Sequence, residues 1–116
     1  IRVNINYKSS IFSIAGTIYS DGKPRIIQIN NINLEAEPVD HMLYTTNIDK
    51  PGYIGALGTV LGEANVNIAT FSLGRDNKNG KALALLGVDE FISDLVIKKI
   101  KKLPQVDIAK SLNFLK

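Results

Sequence analysis

Between residues 42 and 67 the chain reads MLYTTNIDKPGYIGALGTVLGEANVN, and few folds accommodate such a run. Residues 42–48 are β-rich, residues 51–64 follow a helical period, and a second β-rich run starts at Val66. A strand, a tight loop, a glycine-rich helix and a returning strand belong to a layer of helix on sheet. The loop is Asp49-Lys50-Pro51-Gly52. Pro51 has a fixed φ and no N–H, which suits the first helical position. Gly52 lets the backbone come close to another group. The helix start then offers free N–H groups and a partial positive charge, a ready site for a carboxylate or phosphate. A plain strand-to-helix turn that binds only water has the same features, so both readings stand at this point.

Within the helix, Ile54, Leu57, Leu61 and Ala64 form one apolar stripe. Gly55, Gly58 and Gly62 form an adjacent one. Each glycine costs a helix about 1 kcal/mol against alanine. Three of them predict close packing of this face on a sheet. Asn65 is the expected left-handed cap. Strands are predicted over 66–73 and 81–88, with a polar turn at 76–80. Ser93 is the expected N-cap of a second helix that runs to about Lys102, with Val96, Ile100 and Leu103 facing inward; Pro104 stops it. A last strand covers 106–114. The order βαββαβ is the ferredoxin-like split βαβ of the α+β class.

The first forty residues are different. Residues 1–7 alternate Ile1, Val3, Ile5 and Tyr7 with polar residues, as a half-buried strand does. Residues 11–19 are β-rich, with Gly16 as the expected bulge. A turn at 20–24, a strand over 25–29, a turn at Asn30-Asn31 and a strand over 32–36 complete an antiparallel meander. Such a segment is too short for a core of its own. It is expected to pack on the next unit or to belong to a domain of which the rest is absent. The division is therefore a β-rich unit over 1–41, ending in the linker 37–41, and a βαββαβ unit over 42–116. Opening at Ile1 directly in strand-like sequence, the chain is expected to be a fragment of something longer.

Composition narrows the chemistry. With no cysteine there is no disulfide framework and no thiolate metal site, which is compatible with the cytoplasm. No apolar run is long enough to span a membrane. The net charge of +3 falls wholly after residue 41, with Lys98, Lys99, Lys101 and Lys102 in one predicted helix. No aromatic or arginine readout set accompanies them, so they are expected to be a solvated face rather than a nucleic-acid surface. Gly52, Gly55 and Gly58 have the wrong spacing for a dinucleotide loop. His41 is the only histidine, a poor basis for a metal site. Asp89 and Glu90 are adjacent at a strand end and are expected to point to opposite sides. No nucleophile elbow is present. No catalytic residue and no metal site are expected in this chain.

What remains is a polar set around the organising loop. Asn47 and Asp49 lie two apart and share one side of an extended strand. Asn67 opens the next strand. Asp49 can accept from an ammonium group, and Asn47 and Asn67 can each give and take hydrogen bonds. The N–H groups near Pro51 and Gly52 suit a carboxylate. Together these are the parts of an amino-acid site, and equally of ordinary strand-end polarity.

The run DKPGYIGALGTVLGEANVNIATFSLGRD, residues 49–76, resembles the ACT domain, a small ligand-sensing βαββαβ module. The likeness is greatest to the C-terminal regulatory domain of the bacterial D-3-phosphoglycerate dehydrogenase family. Leu103-Pro104-Gln105-Val106 resembles that family's LPGV-like entry to the last strand. Ala15-Gly16-Thr17-Ile18 and Gly22-Lys23-Pro24-Arg25-Ile26-Ile27 look like the end of the intervening domain of its longer members. The resemblance implies NAD-linked oxidation of phosphoglycerate in a preceding part of the parent chain, and no cofactor in this fragment. It implies homo-oligomers formed through the first strand (residues 42–48) and helix, with L-serine or a similar small amino acid bound between chains. The implied effector contacts are Asn47, Asp49 and Asn67, with Pro51, Gly52 and Gly55 letting backbones and ligand come close. Family members often carry His or Tyr where this chain has Asn47. The regulatory part of an iron–sulfur L-serine dehydratase resembles the same pair of modules, and a ligand-free oligomerisation module is the further alternative.

Overall fold

The computed structural model describes residues 2–7, 10–30, 32–48, 51–76 and 80–113, with backbone alone for residues 2–7 and 10–12. Asp49 and Lys50 of the organising loop, Asn31 of the first predicted asparagine turn, most of the predicted turn at 76–80, and Phe114 lie outside the described residues.

The meander forms as expected. Strands β1 (Arg2–Tyr7), β2 (Ser10–Ile18), β3 (Pro24–Ile29) and β4 (Ile32–Ala36) pair in sequence order, all antiparallel. The β2–β3 register shifts between Ala15 and Gly16, so the bulge sits at the predicted glycine. A Cβ there would stand 3.2 Å from the Arg25 carbonyl oxygen, which explains why the position carries none. Asn30 takes the left-handed conformation (φ 48), and its Oδ1 accepts from the Ser13 N–H at 2.8 Å. That bond ties the second turn back to β2.

The second unit comprises β5 (His41–Ile48), α1 (Tyr53–Glu63), β6 (Ile68–Asp76), β7 (Lys81–Val88), α2 (Asp94–Lys101) and β8 (Val106–Asn113). Its sheet runs β6-β7-β5-β8 with every neighbouring pair antiparallel, the ferredoxin-like order. Asn65 is left-handed (φ 58) as predicted, and the Ser93 side chain accepts from the Val96 N–H to cap α2. His41 bonds Asn113 through Nδ1 at 2.9 Å and packs edge-on to Phe91.

Both faces of this sheet are covered, and that is why β7 is continuously apolar and buried from Ala82 to Val88 and β5 is buried without a break from Met42 to Thr45. On one face Leu43, Ala84, Leu86 and Val88 meet Leu57 and Leu61 of α1 and Val96, Ile97 and Ile100 of α2. On the other face Met42, Tyr44, Leu83 and Leu85 meet Ile26, Ile29 and Ala36 of the meander. The forty-residue meander thus packs on the next unit and shares its core. Ser72 Oγ donates to the Glu35 carbonyl at 2.7 Å along this seam. Gly74 is at closest approach there: a Cβ would lie 2.5 Å from Ile32 Cγ2 and 2.7 Å from the Asn33 carbonyl oxygen.

Four expectations change. Helix α1 begins at Tyr53, not Pro51, because Gly52 adopts φ 94, a left-handed conformation that no helix contains. Tyr53 rather than Ile54 then joins Leu57 and Leu61 in the core, and Ile54 is 48% exposed. Gly55, Gly58 and Gly62 do not pack on the sheet: a Cβ at any of them would meet nothing within 4 Å. The glycine stripe lies on the open side of the helix. Finally, β5 is an interior strand, bonded on one side to β7 and on the other to β8. Its backbone groups are spent within the sheet, so residues 42–48 are not available to pair with a second copy by strand addition. The outer strands of this sheet are β6 and β8.

Candidate functional site

One cleft gathers several of the residues singled out in the sequence. It measures about 270 Å³ and is lined by Asn47, Pro51, Gly52, Tyr53, Ile54, Leu73, Arg75 and Ala82. The end of β5 supplies its floor, the start of α1 one wall, and the end of β6 the other.

Strand alternation places Asn47 there. Leu43 and Thr45 face the helices, so Asn47, two residues further along, faces them as well. Leu43 and Thr45 lie under the helix body, but Asn47 lies under the helix start, where there is a polar group to find. The side chain is only 3% exposed. Its Nδ2 donates to the Ile48 carbonyl at 2.9 Å, whereas its Oδ1 is buried and has no partner among the described residues. Leaving such an acceptor unpaired costs about 1–3 kcal/mol. The neighbouring Thr45 hydroxyl shows the contrast, since it accepts from the Tyr53 hydroxyl and is satisfied. Burial raises the Tyr53 hydroxyl above its usual pKa and this hydrogen bond partly offsets that.

The start of α1 adds the complementary polarity. Gly52 is its N-cap, and among the described residues no side chain caps it and no acidic residue stands in its first turn. The Ala56 N–H is bonded to the Gly52 carbonyl, which leaves the preceding N–H groups as the exposed positive end of the helix dipole. Gly52 is needed for its φ of 94, where an L side chain is strained by roughly 1–2 kcal/mol. Gly55, one turn on, lies on the open face and does not line the cleft. Arg75 is the only charged residue in the described lining, and the sequence reading did not single it out. Its cue was register: Ala82 pairs with Asn47 on one side and with Arg75 on the other, which no local pattern reveals.

Asn67 is elsewhere. It precedes β6, whereas the cleft adjoins the end of that strand. Six residue steps along β7 lead from Ala82 to Val88, the partner of Ile68, so Asn67 lies about 20 Å from Asn47 along the sheet. Its N–H donates to Glu90 Oε1 at 2.9 Å and its Nδ2 to Asp89 Oδ2 at 2.7 Å. The two carboxylates therefore converge on Asn67 and do not point to opposite sides, because they follow the end of β7 in a turn where strand alternation no longer applies. Asp49, next to the cleft in sequence, lies outside the described residues.

Helix α2 presents Lys98, Lys99, Lys101 and Lys102 to solvent, opposite its buried Val96, Ile97 and Ile100. No helix among the described residues is long and apolar enough to cross a membrane.

Comparison with known proteins agrees with this architecture. Residues 41–105 match the family model of the ACT domain. The chain is 32% identical over 106 residues to the D-3-phosphoglycerate dehydrogenase of Bacillus subtilis, covering 91% of this chain and 20% of that protein. It is 32% identical over 110 residues to the D-3-phosphoglycerate dehydrogenase of Methanocaldococcus jannaschii (94% and 21%). The like-named protein of Synechocystis is 36% identical over 90 residues (78% and 16%). The chain thus spans about a fifth of the length of the curated relatives it matches.

Proposed function

The chain belongs to the ACT domain family, and on that premise we propose that it senses L-serine or another small amino acid for a longer enzyme. The observation that carries this reading is a buried Asn47 Oδ1, beside a helix start, with neither a partner for the one nor a side-chain cap for the other among the described residues. A free amino acid presents an ammonium group to the first and a carboxylate to the second. Asp49 joins Asn47 as the ammonium's acceptor, and Pro51 and Gly52 shape the loop around it.

Pairing completes the site. The edge strand β6 exposes Ile68, Phe71 and Leu73, and beside it α1 turns its glycine stripe outward. Two copies of β6 joined antiparallel about a two-fold axis set the start of one strand beside the end of the other. Asn67 of a second copy then comes to the cleft that Asn67 of the same chain cannot reach. Gly55 leaves room for the second backbone. Bound ligand favours the paired state, and the coupling is passed on to whatever the pair is attached to.

The parent chain in this reading is a cytoplasmic D-3-phosphoglycerate dehydrogenase of serine biosynthesis, with NAD and substrate held outside this fragment. The names of the relatives favour it over a serine dehydratase. Residues 1–41 are then the end of an intervening domain and residues 42–116 the regulatory domain. An alternative of a different class is a ligand-free oligomerisation module, favoured by an open β6 edge that can pair without any ligand.

Calorimetric titration with L-serine, using glycine, alanine and D-serine as controls, tests the reading. A saturable, stereoselective signal that Asp49→Ala abolishes, with the dimer retained, is the expected result. No signal from a chain shown to be dimeric favours the oligomerisation module.

A further inference from the structure

We infer that Arg75 is a ligand-binding residue of this cleft, holding the carboxylate of the amino acid together with the backbone N–H groups at the start of α1. The inference rests on the amino-acid reading above and adds a side chain that the reading does not use. Arg75, Ala82 and Asn47 form one row across β6, β7 and β5. Cross-strand partners project from the same face of a sheet. Arg75 and Asn47 therefore stand on the same side of the sheet, with only the Ala82 methyl between them. Two strand spacings put their backbones about 10 Å apart. An amino acid laid over Ala82 turns its ammonium toward Asn47 Oδ1 and its carboxylate toward the guanidinium.

Charge points the same way. Arg75 and the helix start are both positive and flank one cleft. A planar guanidinium grips a carboxylate through two parallel N–H bonds, which a single ammonium cannot reproduce. The second observation is independent of both: Asn47, 97% buried, lies at the floor between them, and its Oδ1 has no partner among the described residues. The cleft therefore favours molecules that carry a carboxylate as well as an amine, and amino alcohols, held through the amine alone, bind it more weakly.

The test compares L-serine with serinol, which keeps the amine and the hydroxyl but lacks the carboxylate. Both are titrated into the intact 116-residue chain, its Arg75→Gln variant and its Arg75→Lys variant. Arg75→Gln is expected to weaken L-serine about tenfold or more, the scale of one charge-assisted hydrogen bond, and to leave serinol unchanged. Arg75→Lys recovers part of the loss. Arg75 is exposed, so all three proteins are expected to stay folded, and a thermal melt of each separates binding from folding. Wild-type affinity for L-serine in Arg75→Gln overturns the assignment alone, as does an equal loss for serine and serinol. A wild-type chain that binds no amino acid overturns the sensing function as well.

Discussion

Gly74 and Gly58 look alike in the sequence, and the structure predicts that alanine acts with opposite sign at the two. At Gly74 the new methyl would lie 2.5 Å from Ile32 Cγ2 and 2.7 Å from the Asn33 carbonyl oxygen. One obstacle is a β-branched side chain and the other is backbone, so neither yields easily. Overpacking of this kind costs about 1–3 kcal/mol. Stiffening the unfolded chain returns about 0.4–1 kcal/mol. A net loss of about 1–2 kcal/mol is expected. At roughly 2.1 cal/mol/K per residue, the unfolding entropy of 116 residues is about 240 cal/mol/K. Each kcal/mol then moves Tm by about 4 °C, and Gly74→Ala lowers it by about 4–8 °C. At Gly58, in mid-helix, a methyl meets nothing within 4 Å. Gly58→Ala therefore gains about 1 kcal/mol of helix propensity and raises Tm by about 4 °C. Thermal unfolding followed by circular dichroism, at dilutions where the chain is monomeric, reads both. A Gly74→Ala protein that melts with the wild type would mean that the meander is not seated against β6, and the shared core described above would be wrong.

Other perturbations test separate links. Phe71→Lys puts a charge on the exposed β6 edge and is expected to abolish self-association in sedimentation velocity while leaving the monomer folded. Ser93→Ala removes the α2 cap and is expected to cost about 0.5–2 kcal/mol in urea unfolding; an unchanged midpoint contradicts the cap. Burial raises the Tyr44 and Tyr53 hydroxyls above their ordinary 10.0, so the unfolded chain loses these protons first as pH rises. Their contribution is complete below pH 10 and is lost as pH climbs through the folded values. The urea midpoint is accordingly expected to fall above that pH, and less steeply in Tyr44→Phe and Tyr53→Phe.

Much of this molecule is written in local pattern. The βαββαβ order, the Gly16 bulge, the Asn65 and Ser93 caps and the inward face of α2 follow from periodicity, steric freedom at particular φ, and the chemistry of helix ends. Asn47 and the Pro51–Gly52 turn were legible as a polar strand end meeting a helix start. Helical spacing alone could not say which face of α1 turns inward, because Ile54 and Tyr53 are neighbours and the left-handed Gly52 sets the phase. Nor could the glycine stripe declare itself exposed, since close packing and open space both tolerate a missing Cβ.

Register and strand order were not legible in this way, because they depend on residues far apart in the chain. Strand order makes β5 interior and leaves β6 and β8 as the edges, so residues 42–48 are closed to strand addition. Register brings Arg75 level with Asn47 across Ala82 and sends Asn67 to the opposite end of the sheet, among Asp89 and Glu90. The kinds of element and the polar groups at their ends are local matters, because backbone sterics and side-chain period act within a few residues. Which of those groups face one another was settled by hydrogen bonding between strands and by burial of both faces of one sheet.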